Sequence, residues 1–112
     1  MGYEVKILEP AKEFLDTLET KLRAKAFRTI DLLQDFGPFL REPHAKKIRE
    51  VDHLYELRVK QGNNICRFFY FHHKGKIYIM TSGYVKKDQK LSKKEISRAE
   101  SLMNAFKEEN NE

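Results

Sequence analysis

Apolar and polar residues alternate at the start of the chain and then change to a helical period. Residues 3–8 place Tyr, Val and Ile between charged neighbours, which predicts a half-buried strand. Pro10 suits the first turn of a helix. Apolar residues then recur every three or four positions from Phe14 to Leu33, which predicts a helical hairpin or one bent helix. The Gly-Pro pair at 37–38 is a common stop signal for such a helix.

Three further strands are predicted in the middle of the chain, over 54–60, 65–72 and 76–84. In the first of them the odd positions are apolar and the even positions are charged, so its two faces differ. The second is apolar at nearly every position, as expected of a central strand. Short turns around Gly62 and Gly75 join the three strands, which predicts an antiparallel meander. Residues 38–53 are predicted to be mostly loop.

A capping box predicts the start of the last helix, because Ser92 stands three residues before Glu95. Apolar residues behind it line one helix face, and residues 107–112 are expected to fray. The predicted order is β-α-α-β-β-β-α. This is one α+β domain over 1–112, with an antiparallel-rich four-stranded sheet. We expect the helices to cover one face of the sheet and the other face to carry Glu56, Arg58 and Arg67.

Composition restricts the class of protein. The chain has 112 residues, 40% of them hydrophobic, which fits one globular domain with a modest core. No apolar run approaches the roughly 18 residues of a membrane span, so we expect no membrane partner. The single cysteine, Cys66, lies in an apolar strand and is expected to be a buried structural thiol. A lone cysteine and the absence of a signal peptide favour a cytoplasmic protein.

Positive charge is concentrated in the middle of the chain. Residues 41–94 carry fourteen Lys or Arg against five Asp or Glu, a net charge of +9, although the whole chain carries only +5. Such asymmetry indicates a polyanionic partner, and RNA is the candidate. A solvated basic surface without a partner is the alternative.

The candidate chemistry centres on two arginines within predicted strands, Arg58 and Arg67. Arginine presents a planar fork of donors that matches phosphate oxygens, and pairing across the turn at 61–64 would bring the two together. Lys86 and Lys87 follow the last strand and could close the same pocket. The alternative is that both arginines pair with Glu56 or with an acidic residue of the last helix.

The spacing of the four histidines, His44, His53, His72 and His73, does not match that of a metal site. His44 or His53 could act as a general acid or base only if the loop that contains them folds over the sheet.

Three motifs in this order resemble the RelE superfamily of toxins, and most of all its HigB-like, phage-derived Gp49-like branch. They are Leu54-Tyr55-Glu56-Leu57-Arg58, then Cys66-Arg67-Phe68-Phe69-Tyr70-Phe71, then Tyr84-Val85-Lys86-Lys87-Asp88-Gln89-Lys90 before a capped helix. The resemblance extends from Tyr3 to about Phe106. It implies a RelE-like fold and a cytoplasmic endoribonuclease that cuts mRNA on the ribosome without metal or cofactor. It also implies a cognate antitoxin, expected to be of the helix-turn-helix type.

The same resemblance implies roles for individual residues. Arg67 matches the arginine that contacts the scissile phosphate, Arg58 a basic position on the preceding strand, and Lys86 or Lys87 the basic residue after the last strand. Glu56 is a hypothetical general base. RNA contacts are expected from Lys46, Lys47, Lys90 and Tyr84. Two other functions stay open: a catalytically inactive module that binds RNA or antitoxin, and a basic DNA-binding domain.

Overall fold

The computed structural model describes residues 2–86 and 92–111, which form three helices and five strands with one short 3₁₀ helix. The elements are β1 (Glu4–Ile7), α1 (Glu9–Thr17), α2 (Thr20–Phe36), the 3₁₀ helix (Gly37–Phe39), β2 (Ala45–Lys47), β3 (Leu54–Gln61), β4 (Asn64–Lys74), β5 (Ile77–Val85) and α3 (Lys93–Glu109). None of the described helices is both long and apolar enough to cross a membrane.

All five strands belong to one sheet in the order β1-β5-β4-β3-β2. β1 pairs with β5 in parallel, and the other pairs are antiparallel, so the predicted meander and the α+β class are confirmed. The strand count was wrong, because residues 45–47 form the edge strand β2 in a segment predicted to be loop. Three residues are too few to show an alternating pattern, and β2 is defined by its pairing with 55–57 of β3.

Helices cover both faces of the sheet rather than one. α1 and α2 pack on the face that carries Leu57, Phe68 and Met80. α3 packs on the opposite face, because Phe69 and Phe71 give the central strand β4 a second apolar surface. We call these the hairpin face and the α3 face. As predicted, the α3 face also carries Glu56, Arg58 and Arg67, which lie on its β3 and β4 side.

The C-terminal helix extends further than predicted. α3 continues to Glu109, three residues into the segment 107–112 that was expected to fray. Phe106 packs edge-on against Phe71, and Lys107 lies over the same ring. The Asn110 side chain donates to the Phe106 carbonyl oxygen at 2.8 Å. These contacts hold the last turn, which sequence periodicity could not indicate.

An irregularity in β5 decides which side chains reach the α3 face. Ser82 pairs with Phe69 and Met80 with Tyr70, so Thr81 is an extra residue in the strand. Because side chains alternate along a strand, this bulge reverses the faces of all later residues. Tyr84 consequently lies opposite Arg67 on the α3 face.

The same bulge turns Gly83 toward the hairpin face. A Cβ atom at Gly83 would lie 2.5 Å from the Phe14 ring and 2.8 Å from the Phe68 ring. Only glycine therefore fits at this position of β5.

Candidate phosphate-binding site

A buried carboxylate joins the two candidate arginines. Arg58 and Arg67 are direct partners across β3 and β4, and Glu56 lies two residues before Arg58 on the same face. Arg67 Nη1 donates to Glu56 Oε1 at 3.0 Å and to Oε2 at 2.8 Å. Arg58 Nε donates to Oε1 at 3.0 Å. The alternative raised from the sequence, that both arginines pair with Glu56, is therefore realised in this structure.

The three groups differ in their access to solvent. The Glu56 side chain is 0% exposed and the Arg58 side chain 26% exposed, while Arg67 is buried. Glu42 contacts Arg58 as well, at 3.5 Å, so the two guanidinium groups face two carboxylates, of which Glu56 is buried and Glu42 is 63% exposed. Arg67 Nε is also buried and has no hydrogen-bond partner among the described residues. The cluster thus keeps one unpaired donor and a partly exposed guanidinium, both of which suit an anionic ligand.

Tyr84 adjoins this cluster as the cross-strand partner of Arg67. Its ring stacks on Phe69 with 5.7 Å between centroids. Burial raises the pKa of Tyr84, whereas Arg67 and the backbone of Ser92 lower it and Glu56 and Glu95 raise it. The hydroxyl is buried near Ser92 at a geometry too poor for a hydrogen bond. Tyr84 is thus a neutral hydroxyl beside the arginines.

Sequence reasoning missed Glu95 as a member of this neighbourhood. The capping box was correctly predicted, since Ser92 Oγ accepts from the Glu95 backbone N–H at 3.3 Å. The Glu95 carboxylate contributes to the electrostatics of Tyr84, and its Oε1 is buried without a hydrogen-bond partner among the described residues. The capping motif accounts for a glutamate at this position, so nothing in the sequence pattern indicated that Glu95 also lies near Tyr84.

The two adjacent lysines of β2 lie on opposite faces of the sheet. Lys46 pairs with Glu56 and Lys47 with Tyr55, so Lys46 is on the α3 face and Lys47 on the hairpin face. The prediction that both contact RNA is untested, but the structure brings only Lys46 to the face of the arginines.

The basic residues after β5 are only partly described. The backbone N–H of Lys86 donates to the Ile65 carbonyl oxygen at 3.0 Å, which extends the β4–β5 ladder by one residue. Strand alternation then places Lys86 on the side of Tyr84. Lys87 and Lys90, two other predicted site residues, lie outside the described residues.

A groove of about 610 Å³ opens beside Arg58 and Arg67, at the end of β3 that β2 does not cover. We call it the arginine groove. Cationic side chains from three elements line it, among them Lys25, Lys60 and the two arginines, and none of its described lining residues is Asp or Glu. The arrangement can hold an anion such as a phosphodiester.

His44 also lines the arginine groove, because the loop before β2 folds against the strand end. The Arg58 backbone N–H donates to the His44 carbonyl oxygen at 2.7 Å. His53, by contrast, is exposed in a turn with a φ of 70°. The loop therefore runs along the edge of the sheet at His44, beside Arg58, and does not show the fold over the sheet that an acid or base role for His44 or His53 would require. Among the described residues, no group of three or more His, Cys, Asp or Glu side chains could hold a metal ion.

The signature of the phage-derived Gp49-like protein family matches residues 13–104. The chain belongs to this family. The Gp49-like assignment confirms the branch that the sequence motifs resemble. No significant relative was found among curated proteins.

Solved structures of RelE toxins have the same fold as this Gp49-like protein. An arginine double mutant of E. coli RelE in the free state is 18% identical, with a TM-score of 0.60 over 91% of this chain and 94% of that one. RelE of the RelE–RelB complex from Pyrococcus horikoshii is 22% identical, with a TM-score of 0.60 over 80% and 100% of the two chains. RelE of the E. coli toxin–antitoxin complex is 17% identical, with a TM-score of 0.58 over 78% and 99%. The fold prediction is therefore confirmed.

Proposed function

We propose that this protein is the toxin of a toxin–antitoxin pair and inhibits translation as a metal-independent endoribonuclease acting on mRNA in the ribosome. Cleavage occurs by attack of a ribose 2′-hydroxyl on the adjacent phosphate, which gives a cyclic phosphate and a 5′-hydroxyl. The observation that carries this proposal is the pair of rigidly placed arginines, Arg58 and Arg67, at a groove lined by cations.

The arginines bind the scissile phosphate. Arg58, which is 26% exposed, is the donor accessible to its oxygens, and the buried Arg67 Nε–H is the unpaired donor next to it. As the 2′-oxygen attacks, the phosphate gains negative charge, and fixed donors stabilise that charge more than they stabilise the ground state. Glu56 keeps both guanidinium groups in position. Its oxygens already accept three hydrogen bonds and are out of contact with solvent, so the geometry favours a positioning role over the predicted role of general base.

We assign proton transfer to two other side chains, Tyr84 and His44. Tyr84 retains its proton, since its pKa is raised by burial, and we assign it as the proton donor to the leaving 5′-oxygen. Its hydroxyl is buried in the free protein, so this role requires that RNA binding exposes it. His44 lines the arginine groove, and histidine is the side chain suited to exchange protons near neutral pH. Its role requires that the loop fold over the sheet when RNA binds. Lys46 and Lys86 contact the RNA backbone, as do Lys87 and Lys90 outside the described residues.

The cognate partner is an antitoxin, which we expect to carry a helix-turn-helix domain. Two of the RelE structures with this fold are complexes with RelB. By analogy, an antitoxin encoded beside this protein would bind it in the cytoplasm and block access to the ribosome.

A second candidate function follows from the Arg67–Glu56 contact. The Glu56 carboxylate accepts hydrogen bonds from Arg67 Nη1, which would otherwise be available to bind phosphate. If this pairing persists on RNA, the protein is a catalytically inactive module that binds RNA or antitoxin.

Induced expression with mapping of the 5′ ends of cellular mRNA separates the two functions. We expect wild type to produce new cuts within translated frames and the neighbouring open reading frame to suppress them. Arg67→Ala should abolish the cuts. Arg67→Lys, which keeps the charge beside Glu56 but loses the planar fork, should retain the fold and lose most cutting. Arg28→Ala, at an exposed position of α2, is the control.

Cutting by Arg67→Ala at equal protein level would refute the assigned role of Arg67. A folded wild type that produces no cuts and no growth arrest would support the inactive binding module instead.

A further inference from the structure

A second and larger groove lies on the hairpin face, so the sheet separates it from Glu56 and Arg67. Its volume is about 880 Å³, within the range of ligand-binding pockets. Side chains of Tyr3, Tyr55, Tyr70 and Tyr78 line it, and we call it the tyrosine groove. None of these residues has a role in the proposed cleavage.

The four tyrosine rings pack against one another in a fixed arrangement. Tyr55 stacks on Tyr70 at 5.6 Å between centroids, and Tyr70 meets Tyr78 edge-on at 5.8 Å. Tyr3 contacts Tyr78 at 6.0 Å. Gly37 allows Tyr3 to approach, since a Cβ atom there would lie 2.6 Å from its ring. The aromatic floor is therefore organised before any ligand binds.

The hydroxyl groups of these tyrosines are open to solvent, since none of the four is a buried oxygen without a partner. No hydrogen bond joins any of the four to another residue within 2–86 or 92–111. Burial raises the pKa of Tyr78, and the neighbouring Tyr3 and Tyr55 raise it further. The Tyr78 hydroxyl consequently stays neutral, and a neutral tyrosine hydroxyl can both donate and accept a hydrogen bond.

Cations surround the aromatic floor. The exposed basic residues that line the groove are Arg41, Lys46, Lys47 and Lys76, against a single lining carboxylate, Glu42. Lys46 reaches it from the edge of the sheet, since its place in β2 is on the α3 face. Lys76 Nζ lies 5.8 Å from the centroid of the Tyr3 ring. Tyr70 and Tyr78 are buried, so the rings that the surface presents are the partly exposed Tyr3 and Tyr55. The surface thus combines rigid aromatic rings with positive charge, which is the combination found in grooves that bind single-stranded nucleic acid.

We infer that the tyrosine groove binds single-stranded RNA, as a second site that rests on the proposed function but takes no part in the chemistry. An acidic peptide would share the charge complementarity. However, a peptide helix anchors through aliphatic side chains in deep apolar pockets, and the aliphatic lining here is limited to Pro38, Leu40 and Ala45. Neutral hydroxyls beside rings suit bases, which offer both hydrogen-bonding edges and flat faces.

The two grooves meet at one segment of chain, where β2 forms the edge of the sheet. Ala45 and Lys47 line the tyrosine groove, while Pro43 and His44 line the arginine groove. A strand cut beside Arg67 can therefore continue around this edge into the tyrosine groove. In this arrangement the tyrosine groove holds RNA that flanks the cleaved phosphate.

Binding of a fluorescently labelled 2′-O-methyl oligouridine, which lacks the attacking hydroxyl, tests the site in the full chain. The triple variant Arg41→Ala, Lys47→Ala and Lys76→Ala should weaken binding about tenfold. It should also reduce the slope of log affinity against log salt by up to about 2, because three phosphate contacts are lost. A control triple variant removes the same charge from exposed positions of α1 and α2, at Lys12, Lys21 and Arg28, and should change affinity less than twofold. Equal loss of affinity in the two triple variants would refute RNA binding in the tyrosine groove.

A pair of substitutions at Tyr55 tests the aromatic contribution. Tyr55→Phe keeps the ring and should bind within about threefold of wild type, whereas Tyr55→Leu should lose roughly fivefold or more. Equal binding by Tyr55→Phe and Tyr55→Leu would refute base stacking. If the first triple variant keeps oligouridine affinity but no longer retains the neighbouring gene product, the groove belongs to a protein partner and the inference fails.

These outcomes separate the inference from the proposed function. If wild type cuts no mRNA while the tyrosine-groove variants still lose oligouridine, the second site stands and the endoribonuclease does not. If Arg67→Ala abolishes cutting and the groove variants bind as wild type, only the second site is refuted.

Discussion

Replacing Glu56 by glutamine tests whether its carboxylate holds the candidate site together. The substitution preserves the shape of the side chain and removes the charge that two guanidinium groups contact at 2.8–3.0 Å. Arg67 is buried, so its charge would lose its nearest counterion in a poorly solvated position. Breaking a buried ion pair in this way costs about 3–5 kcal/mol.

We expect the lower end of that range, because the glutamine oxygen can still accept a hydrogen bond and Arg58 is partly solvated. A loss of about 3 kcal/mol in the free energy of unfolding corresponds to a fall in Tm of roughly 12 °C for a domain of this size. Urea unfolding followed by far-UV circular dichroism measures the first quantity, and a thermal scan measures the second.

Glu42→Gln is the matched control, because Glu42 also contacts Arg58. That pair is 3.5 Å apart, and the Glu42 side chain is 63% exposed. An exposed ion pair of this kind contributes at most about 1 kcal/mol, so we expect a change below about 0.5 kcal/mol. Equal stability of Glu56→Gln and wild type would refute the positioning role of Glu56.

Binding of inorganic phosphate tests the positioning role of Glu56 in a second, independent assay. In Glu56→Gln the two guanidinium groups lose their buried counterion, so added inorganic phosphate should raise the Tm of this variant more than that of wild type. Equal shifts in both proteins would show that the arginines do not form an anion site.

Three further predictions concern single positions. Tyr84→Phe keeps the stack on Phe69 and should be as stable as wild type. It should lower mRNA cutting at least tenfold, as measured by mapping 5′ ends. Unchanged cutting would show that the Tyr84 hydroxyl takes no part in the mechanism. Burial raises the pKa of Cys66 from 9.0 to about 12, so the unfolded chain loses this proton first and the free energy of unfolding falls as pH rises above 9. Cys66→Ala should reduce that slope by up to about 1.4 kcal/mol per pH unit, and an unchanged slope in urea titrations would contradict the cause. Gly83→Ala meets the Phe14 ring and should cost about 1–3 kcal/mol in urea unfolding, whereas a neutral effect would mean that the ring moves aside.

The sequence predicted the order of elements because the periodic segments are long. The helices and the three central strands all carry patterns of seven residues or more, and the structure places each of them near its predicted bounds. The edge strand β2 was missed because three residues carry no period of their own. Placement of α3 could not be predicted either, since an amphipathic helix does not specify which of two apolar sheet faces it will cover.

The candidate site was predictable in its residues but not in its electrostatics. Alternation and the turn at Gly62 bring Arg58 and Arg67 together, and the structure makes them direct partners. The sequence left open whether the arginines face a ligand or Glu56, because period-two alternation assigns all three to one face without giving their contacts. Glu95 was beyond sequence reasoning, since its approach to Tyr84 depends on how α3 packs.

The bulge at Thr81 and the edge strand β2 together determine how basic and aromatic residues divide between the two faces. Without the bulge, strand alternation would place Tyr84 on the hairpin face with the other four tyrosines, and the arginines would lose their neighbouring hydroxyl. At β2, the same alternation separates Lys46 from Lys47 although they are adjacent in sequence. Counting basic or aromatic residues along the sequence therefore adds together residues that lie on two different faces of the sheet. One surface carries arginines held by Glu56, and the other carries rings and exposed basic residues. Loss of charge on each should therefore have a different effect: lost cleavage on the α3 face, and lost RNA affinity on the hairpin face.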